Sequence, residues 1–241
     1  MNKLVEVKNL TIKLGERVLF ENLNFTIEKG DSYMLLGDNG TGKSLLLELI
    51  ALGNYEDLRE KYAGLTTQGE ILNSNGENLL SPKVENRRIV YVTQNENFYN
   101  NATILSQVCT TCNGAGVELN EDELDALLEY FEIKTNKNKK LKNNLSYGEG
   151  KLVHLVSKLL TLEKADILLL DEPLNHLSFK NSKRLNDLII KIKNNNPDLA
   201  ILTISHCCAI NFVDKALRYN YNEKKMETFN YSSYDCFDRI S

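Results

Sequence analysis

A chain of 241 residues with 42% apolar and 26% charged side chains is long enough to bury a substantial core, as one large domain or as a core with an inserted lobe. Its formal charge of −4 argues against a nucleic-acid binder relying on overall positive charge, and no apolar run is long enough to span a bilayer. The opening MNKLVEVKNLTIKL lacks the apolar stretch and cleavage site of a secretory signal, and the five cysteines (Cys109, Cys112, Cys207, Cys208, Cys236) suit reduced thiols, so the cytosol is the expected place.

The N-terminal third reads as strands: VEVKNLTI, then NLNFTIEKGD, then YMLLG, an apolar run that stops at Gly37. After a glycine-rich turn, SLLLELIAL is apolar over helix length, as expected of a helix packed on a sheet. RRIVYVTQ is a further strand, and EDELDALLEYFEI, acidic at its start and apolar at helical spacing, is an amphipathic helix. Residues 95–144 are expected to form a separate helical lobe ending in KTNKNKKLKNN, whose simplest reading is a solvated basic loop. The second half alternates: helix KLVHLVSKLLTL, strand ADILLLD, helix FKNSKRLNDLIIKIK, strand LAILTIS, then short terminal strands. Such alternation predicts a parallel α/β sheet with helices on both faces. Cys109-Thr-Thr-Cys112 has metal-ligand spacing, but one such pair is weak support for zinc, and packing thiols are expected.

Gly37-Asp38-Asn39-Gly40-Thr41-Gly42-Lys43-Ser44 matches G-x-x-x-x-G-K-[ST] at every fixed position, between the strand and helix that motif requires. Glycines there let backbone N–H groups surround phosphate oxygens, helped by the positive end of the following helix. Lys43 is expected to reach the β- and γ-phosphates of ATP, and the Ser44 hydroxyl to ligate Mg²⁺. Ile167-Leu-Leu-Leu-Asp171-Glu172-Pro173 is an apolar strand ending in two carboxylates at the sheet edge where open α/β sheets bind ligands. Asp171 is the expected Mg²⁺ contact, and Glu172 the base or orienter for water attacking the γ-phosphate.

With Gln94 ending VYVTQ, LSYGE at 145–149 and His206 in TISH, these motifs fall in an order that resembles the ABC ATPase family over nearly the whole chain. The resemblance implies one ATP-binding domain with a P-loop NTPase-type parallel sheet core formed by 1–94 and 145–241, an N-terminal antiparallel β subdomain, and an α-helical subdomain inserted at 95–144. It also implies that Gln94 lies in the loop sensing Mg²⁺ and the transport partner, and that His206 contacts the γ-phosphate. Family members pair head to tail, so Ser146, Gly148 and Glu149 are expected to close over ATP held by a second nucleotide-binding domain, in a homodimer or a heterodimer. Nucleotide-dependent closure then makes a switch.

Four positions depart from the family pattern. Tyr147 stands in place of the first signature glycine, where a positive φ would be costly, and Glu149 replaces the usual glutamine, a familiar variation. The aromatic adenine platform falls at Leu14, with Phe20 a substitute whose simpler role is in the core. Ser178 ends PLNHLS where an aspartate is common. The leading functional expectation is the Mg-dependent ATPase subunit of an ABC transporter, peripheral on the cytosolic face through a separate transmembrane permease; GEILNSNGENL also fits a transporter pattern. The alternative, suggested by the likeness of DEPLNHLS to DEPTNHLD, is a soluble ABC protein acting on the ribosome or another assembly.

Overall fold

The structure is a computed structural model that describes residues 2–51, 55–81, 88–95, 98–99, 101–141, 144–205 and 210–231. In chain order its N-terminal elements are β1 (Lys3–Leu14), β2 (Arg17–Glu28), β3 (Ser32–Leu36), α1 (Lys43–Ala51), α2 (Tyr55–Lys61), β4 (Leu65–Asn73) and β5 (Ile89–Val92). Two helices follow, α3 (Ile104–Gly114) and α4 (Glu121–Tyr130), and then the long α5 (Tyr147–Leu159). The C-terminal part comprises β6 (Ile167–Asp171), α6 (Phe179–Asn195), β7 (Ala200–Ile204), β8 (Lys215–Asn220) and β9 (Lys225–Asn230).

These strands make two sheets. One is antiparallel in the order β2-β1-β4; the other runs β5-β6-β7-β3-β8-β9 and is parallel except for β9, which pairs antiparallel to β8. This is an α/β fold of the P-loop NTPase type with an added antiparallel sheet, as the sequence predicts. The parallel strands are short and apolar because both faces are covered. Every residue of β6 and β7 is buried, and their side chains alternate between two cores. Leu168 and Leu170 point into one core with Val153, Val156 and Leu185 from α5 and α6, together with residues of α3 and α4. Leu169 and Ile167 point into the other with Leu46, Ile50 and the inner face of the antiparallel sheet.

Local chemistry fixes where the helices begin. Thr103 and Ser106 form a reciprocal capping box at α3, Asn120 caps α4, and Ser146 with Glu149 repeats the box at α5. Ser178 caps α6 by accepting from the Asn181 N–H at 3.3 Å. The residue that departs from the family's aspartate is therefore a helix cap, a role serine and aspartate share. No helix among the described residues is long and apolar enough to cross a membrane.

The sheet order brings the two phosphate-chemistry motifs together. β3 and β6 flank β7, so the loop after β3 and the carboxylates ending β6 emerge side by side at one sheet edge. α2 is absent from the sequence reading: YEDLREK buries only Leu58, which leaves almost no apolar periodicity to detect.

Candidate functional site

The loop from Gly37 to Gly42 leaves β3 and turns directly into α1, which starts at Lys43. Gly40 and Gly42 have φ of 73° and 96°, a region that penalises side chains. At Gly42 a Cβ would also stand 3.0 Å from Leu19 Cδ1 and 3.2 Å from Phe20 Cε2, so the loop rests directly on β2. Phe20 is buried beneath the loop, edge to face with Tyr219 at 5.3 Å, in the core role the sequence favours. Lys43 is buried; its ammonium donates to the carbonyls of Gly37 and Asp38, both at 2.7 Å. Burial pulls its pKa down, opposed by the charges of Glu172, Asp171 and Asp38. The lysine is thus aimed along the inside of the loop, in a field set by the carboxylates ending β6.

Asp171 ends the β6–β7 ladder opposite Ile204 and is only 2% exposed. Burial pushes its pKa up, and the Ser44 and Tyr91 hydroxyls work against that rise. Its Oδ2 accepts from the Tyr91 hydroxyl at 3.4 Å, a long contact, and Oδ1 has no hydrogen-bond partner. A buried carboxylate so short of donors, near Ser44, suits a small divalent cation. No group of three or more His, Cys, Asp or Glu side chains that could hold a metal occurs among the described residues.

Glu172 is buried, with a φ of 51° that is unusual for a residue with a side chain. Its N–H donates to Ile204 O at 2.9 Å, and its carbonyl accepts from the Lys151 ammonium at 2.9 Å. This geometry carries the chain off the sheet edge with the carboxylate beside the loop.

A cleft of about 510 Å³ joins these groups. Asn39, Gly40, Gly42, Lys43 and Ser44 line it from the loop, Asp171 and Glu172 from β6, and Gln94 from the bend after β5. Leu14, Arg17 and Tyr62 line it as well, so the position expected to offer an aromatic platform carries an aliphatic side chain. Arg17, Tyr62 and Asn175 are lining residues the sequence reading missed; Tyr62 lies at the end of weakly patterned α2, and nothing in its spacing marks it.

Ser146, Gly148 and Glu149 do not line this cleft; they start α5 at the surface. The Ser146 hydroxyl donates to Glu149 Oε2 at 2.8 Å and accepts from the Glu149 N–H, while the Ser146 N–H donates to the same carboxylate oxygen at 2.9 Å. Tyr147 is helical, without a positive φ, so the strain expected there does not arise. Its ring packs edge to face on His176 at 4.7 Å, and a Cβ at Gly148 would lie 3.2 Å from His176 O. His206 lies outside the described residues, as do Cys207, Cys208 and Cys236; Cys112 is buried in the core.

A family profile described as ABC transporter matches residues 20–175, which contain both phosphate-site motifs and the start of α5. The chain is 29% identical over 198 residues to the ergothioneine transport ATP-binding protein EgtV of Helicobacter pylori, covering 81% of this chain and 87% of that protein. It is 26% identical over 204 residues to the ribosome protection protein VmlR of Bacillus subtilis, but this covers only 31% of VmlR. Among solved structures, an ATP-binding subunit of an ABC transporter superposes with a TM-score of 0.73 at 21% identity, over 94% of this chain and 90% of that one. The chain belongs to the ABC transporter family, as one of its ATP-binding domains.

Proposed function

We propose that this chain is the ATP-hydrolysing subunit of an ABC transporter, energising a separate transmembrane permease by ATP-dependent closure against a second nucleotide-binding domain. The observation that carries the reading is the single cleft shared by Lys43, Ser44, Gln94, Asp171 and Glu172. Support for a transporter over a ribosome-associated protein comes from two relatives named as transport ATP-binding proteins, EgtV and the probable iron chelatin transport protein of Helicobacter pylori, which match over 87% and 77% of their chains, against 31% for VmlR.

In this proposal residues 1–94 and 145–241 form the ATPase core and 95–144 the inserted lobe. The loop N–H groups and the Lys43 ammonium bind the β- and γ-phosphates. Ser44, Asp171 and Gln94 are the residues that would hold Mg²⁺, which supplies charge neutralisation at the phosphates. Glu172 orients and deprotonates the attacking water. Ser146, Gly148 and Glu149 act on nucleotide held by the other subunit, and Leu14 packs against the base. His206 keeps the γ-phosphate contact that the family resemblance implies.

The test is to purify the Glu172→Gln protein with ATP from its native cells. Recovery of a dimer together with a polytopic membrane protein supports the proposal. Recovery with ribosomes replaces the transporter reading and leaves the ATPase assignment standing. A Glu172→Gln protein that hydrolyses ATP at the wild-type rate removes that assignment.

A further inference from the structure

β5 and β6 pair in parallel as far as Val92 and Leu170. Two residues beyond each member of that last pair stand Gln94 and Glu172, both past the ends of their strands. Both of their carbonyls point at one side chain, the Lys151 ammonium, which donates to Gln94 O at 2.9 Å and to Glu172 O at 2.9 Å. Lys151 is 1% exposed, and it lies on α5, five residues after the Ser146 cap. One helical turn further, His154 contacts the Thr93 hydroxyl at 3.2 Å, so the same face of α5 grips two successive residues after β5.

We propose that Lys151 is a positioning residue that sets the backbone of Glu172 and of the Gln94 bend as one unit and ties both to the start of α5. The physical need is clear at Glu172. Its left-handed backbone is costly for a residue with a side chain and persists only where the surroundings hold it. β7 holds the N–H through Ile204 O, and Lys151 holds the carbonyl. A buried cation shared by two carbonyls makes charge-assisted bonds that neutral donors match only in part. A shift of the Ser146 end of α5 against the sheet is transmitted through this ammonium to both loops at once. The inference rests on the reading of Glu172 as the group that activates water.

The test compares Lys151→Met and Lys151→Gln in the full-length protein, in whatever complex it forms in its cells. Methionine and glutamine fill similar volume, but only glutamine carries N–H donors. Steady-state phosphate release gives kcat and KM for Mg-ATP, and equilibrium binding of Mg-ATP reports affinity. The expected result is a kcat about a hundredfold below wild type for Met and about tenfold below for Gln, with affinity unchanged within about threefold. Equal turnover of the two variants, whether intact or lost, overturns the assignment, as does loss of affinity in parallel with kcat. If the Met variant does not fold, Lys151→Gln decides alone by the same split of kcat from affinity. Glu172→Gln run alongside separates the two readings. If it is silent while Lys151→Met turns over normally, the positioning role fails by itself; if it turns over normally, the assignment of Glu172 has failed.

Discussion

His154 makes stability depend on pH in a way that can be worked from its surroundings. The Thr93 hydroxyl gives its proton to Asn95 O at 2.7 Å, so the 3.2 Å contact with His154 Nε2 requires the imidazole to be the donor. Nδ1 is then an unprotonated acceptor, buried and without a hydrogen-bond partner. Protonation would place a charge in that buried site near Lys158 and Lys151. Burial, and then those two cations, pull the pKa from 6.5 to about 4. Because the folded-state pKa is below the unfolded one, the unfolded chain takes up the proton first. The neutral ring's contribution is complete above 6.5 and is lost as pH falls towards 4, amounting to about 3 kcal/mol in full. Urea unfolding of wild type and His154→Leu between pH 7.5 and 4.5 isolates this residue, because the other titrating groups are common to both. Wild-type stability should fall relative to the variant by about 2 kcal/mol across that range. A difference independent of pH, or a resonance assigned to the His154 imidazole titrating near 6.5 in the folded protein, would refute the reasoning.

Replacing Lys43 by Ala should weaken Mg-ATP binding by at least about a hundredfold in calorimetry, because its ammonium is the cation inside the phosphate loop. Gly42→Ala should cost about 1–3 kcal/mol in denaturant unfolding, since the new Cβ combines a φ of 96° with a 3.0 Å approach to Leu19. Ser178→Ala should lower stability by about 1 kcal/mol through loss of the α6 cap, whereas Ser178→Asp should retain it.

The elements legible in the sequence were those whose pattern was strong over their own length. The buried runs of β3, β6 and β7 and the glycine-rich turn into α1 each announce a parallel strand or a phosphate loop without help from the rest of the chain. The resemblance then supplied the order in which those pieces meet. What stayed hidden was long-range or weakly patterned. α2 buries a single leucine, and Tyr62 and Arg17 enter the cleft only because the antiparallel sheet folds over α1. Lys151 was invisible for a sharper reason: a lysine inside an otherwise apolar helix face reads as a surface residue, and only the meeting of two strand ends gives its ammonium acceptors.

The departures in LSYGE look different once the start of α5 is resolved into contacts. Tyr147 does not disturb the helix, because its backbone is helical and its ring leaves the axis to rest on His176, a left-handed residue just beyond Glu172. That contact links the helix start to the segment leading into α6, whose cap is Ser178. Glu149 has the larger chemical consequence. Its carboxylate takes both the hydroxyl and the N–H of Ser146, a favourable arrangement at the positive end of a helix. It is also a negative charge on the surface proposed to meet a phosphate from the opposite subunit, and it engages the hydroxyl that phosphate would need. In the proposed closure this internal bond must break and like charges must meet, just as the Lys43 bonds to Gly37 O and Asp38 O must give way to a phosphate in the chain's own cleft. Under the proposed pairing, both halves of the composite site thus hold a phosphate-binding group in an internal bond, the Lys43 ammonium to loop carbonyls and the Ser146 hydroxyl to the Glu149 carboxylate.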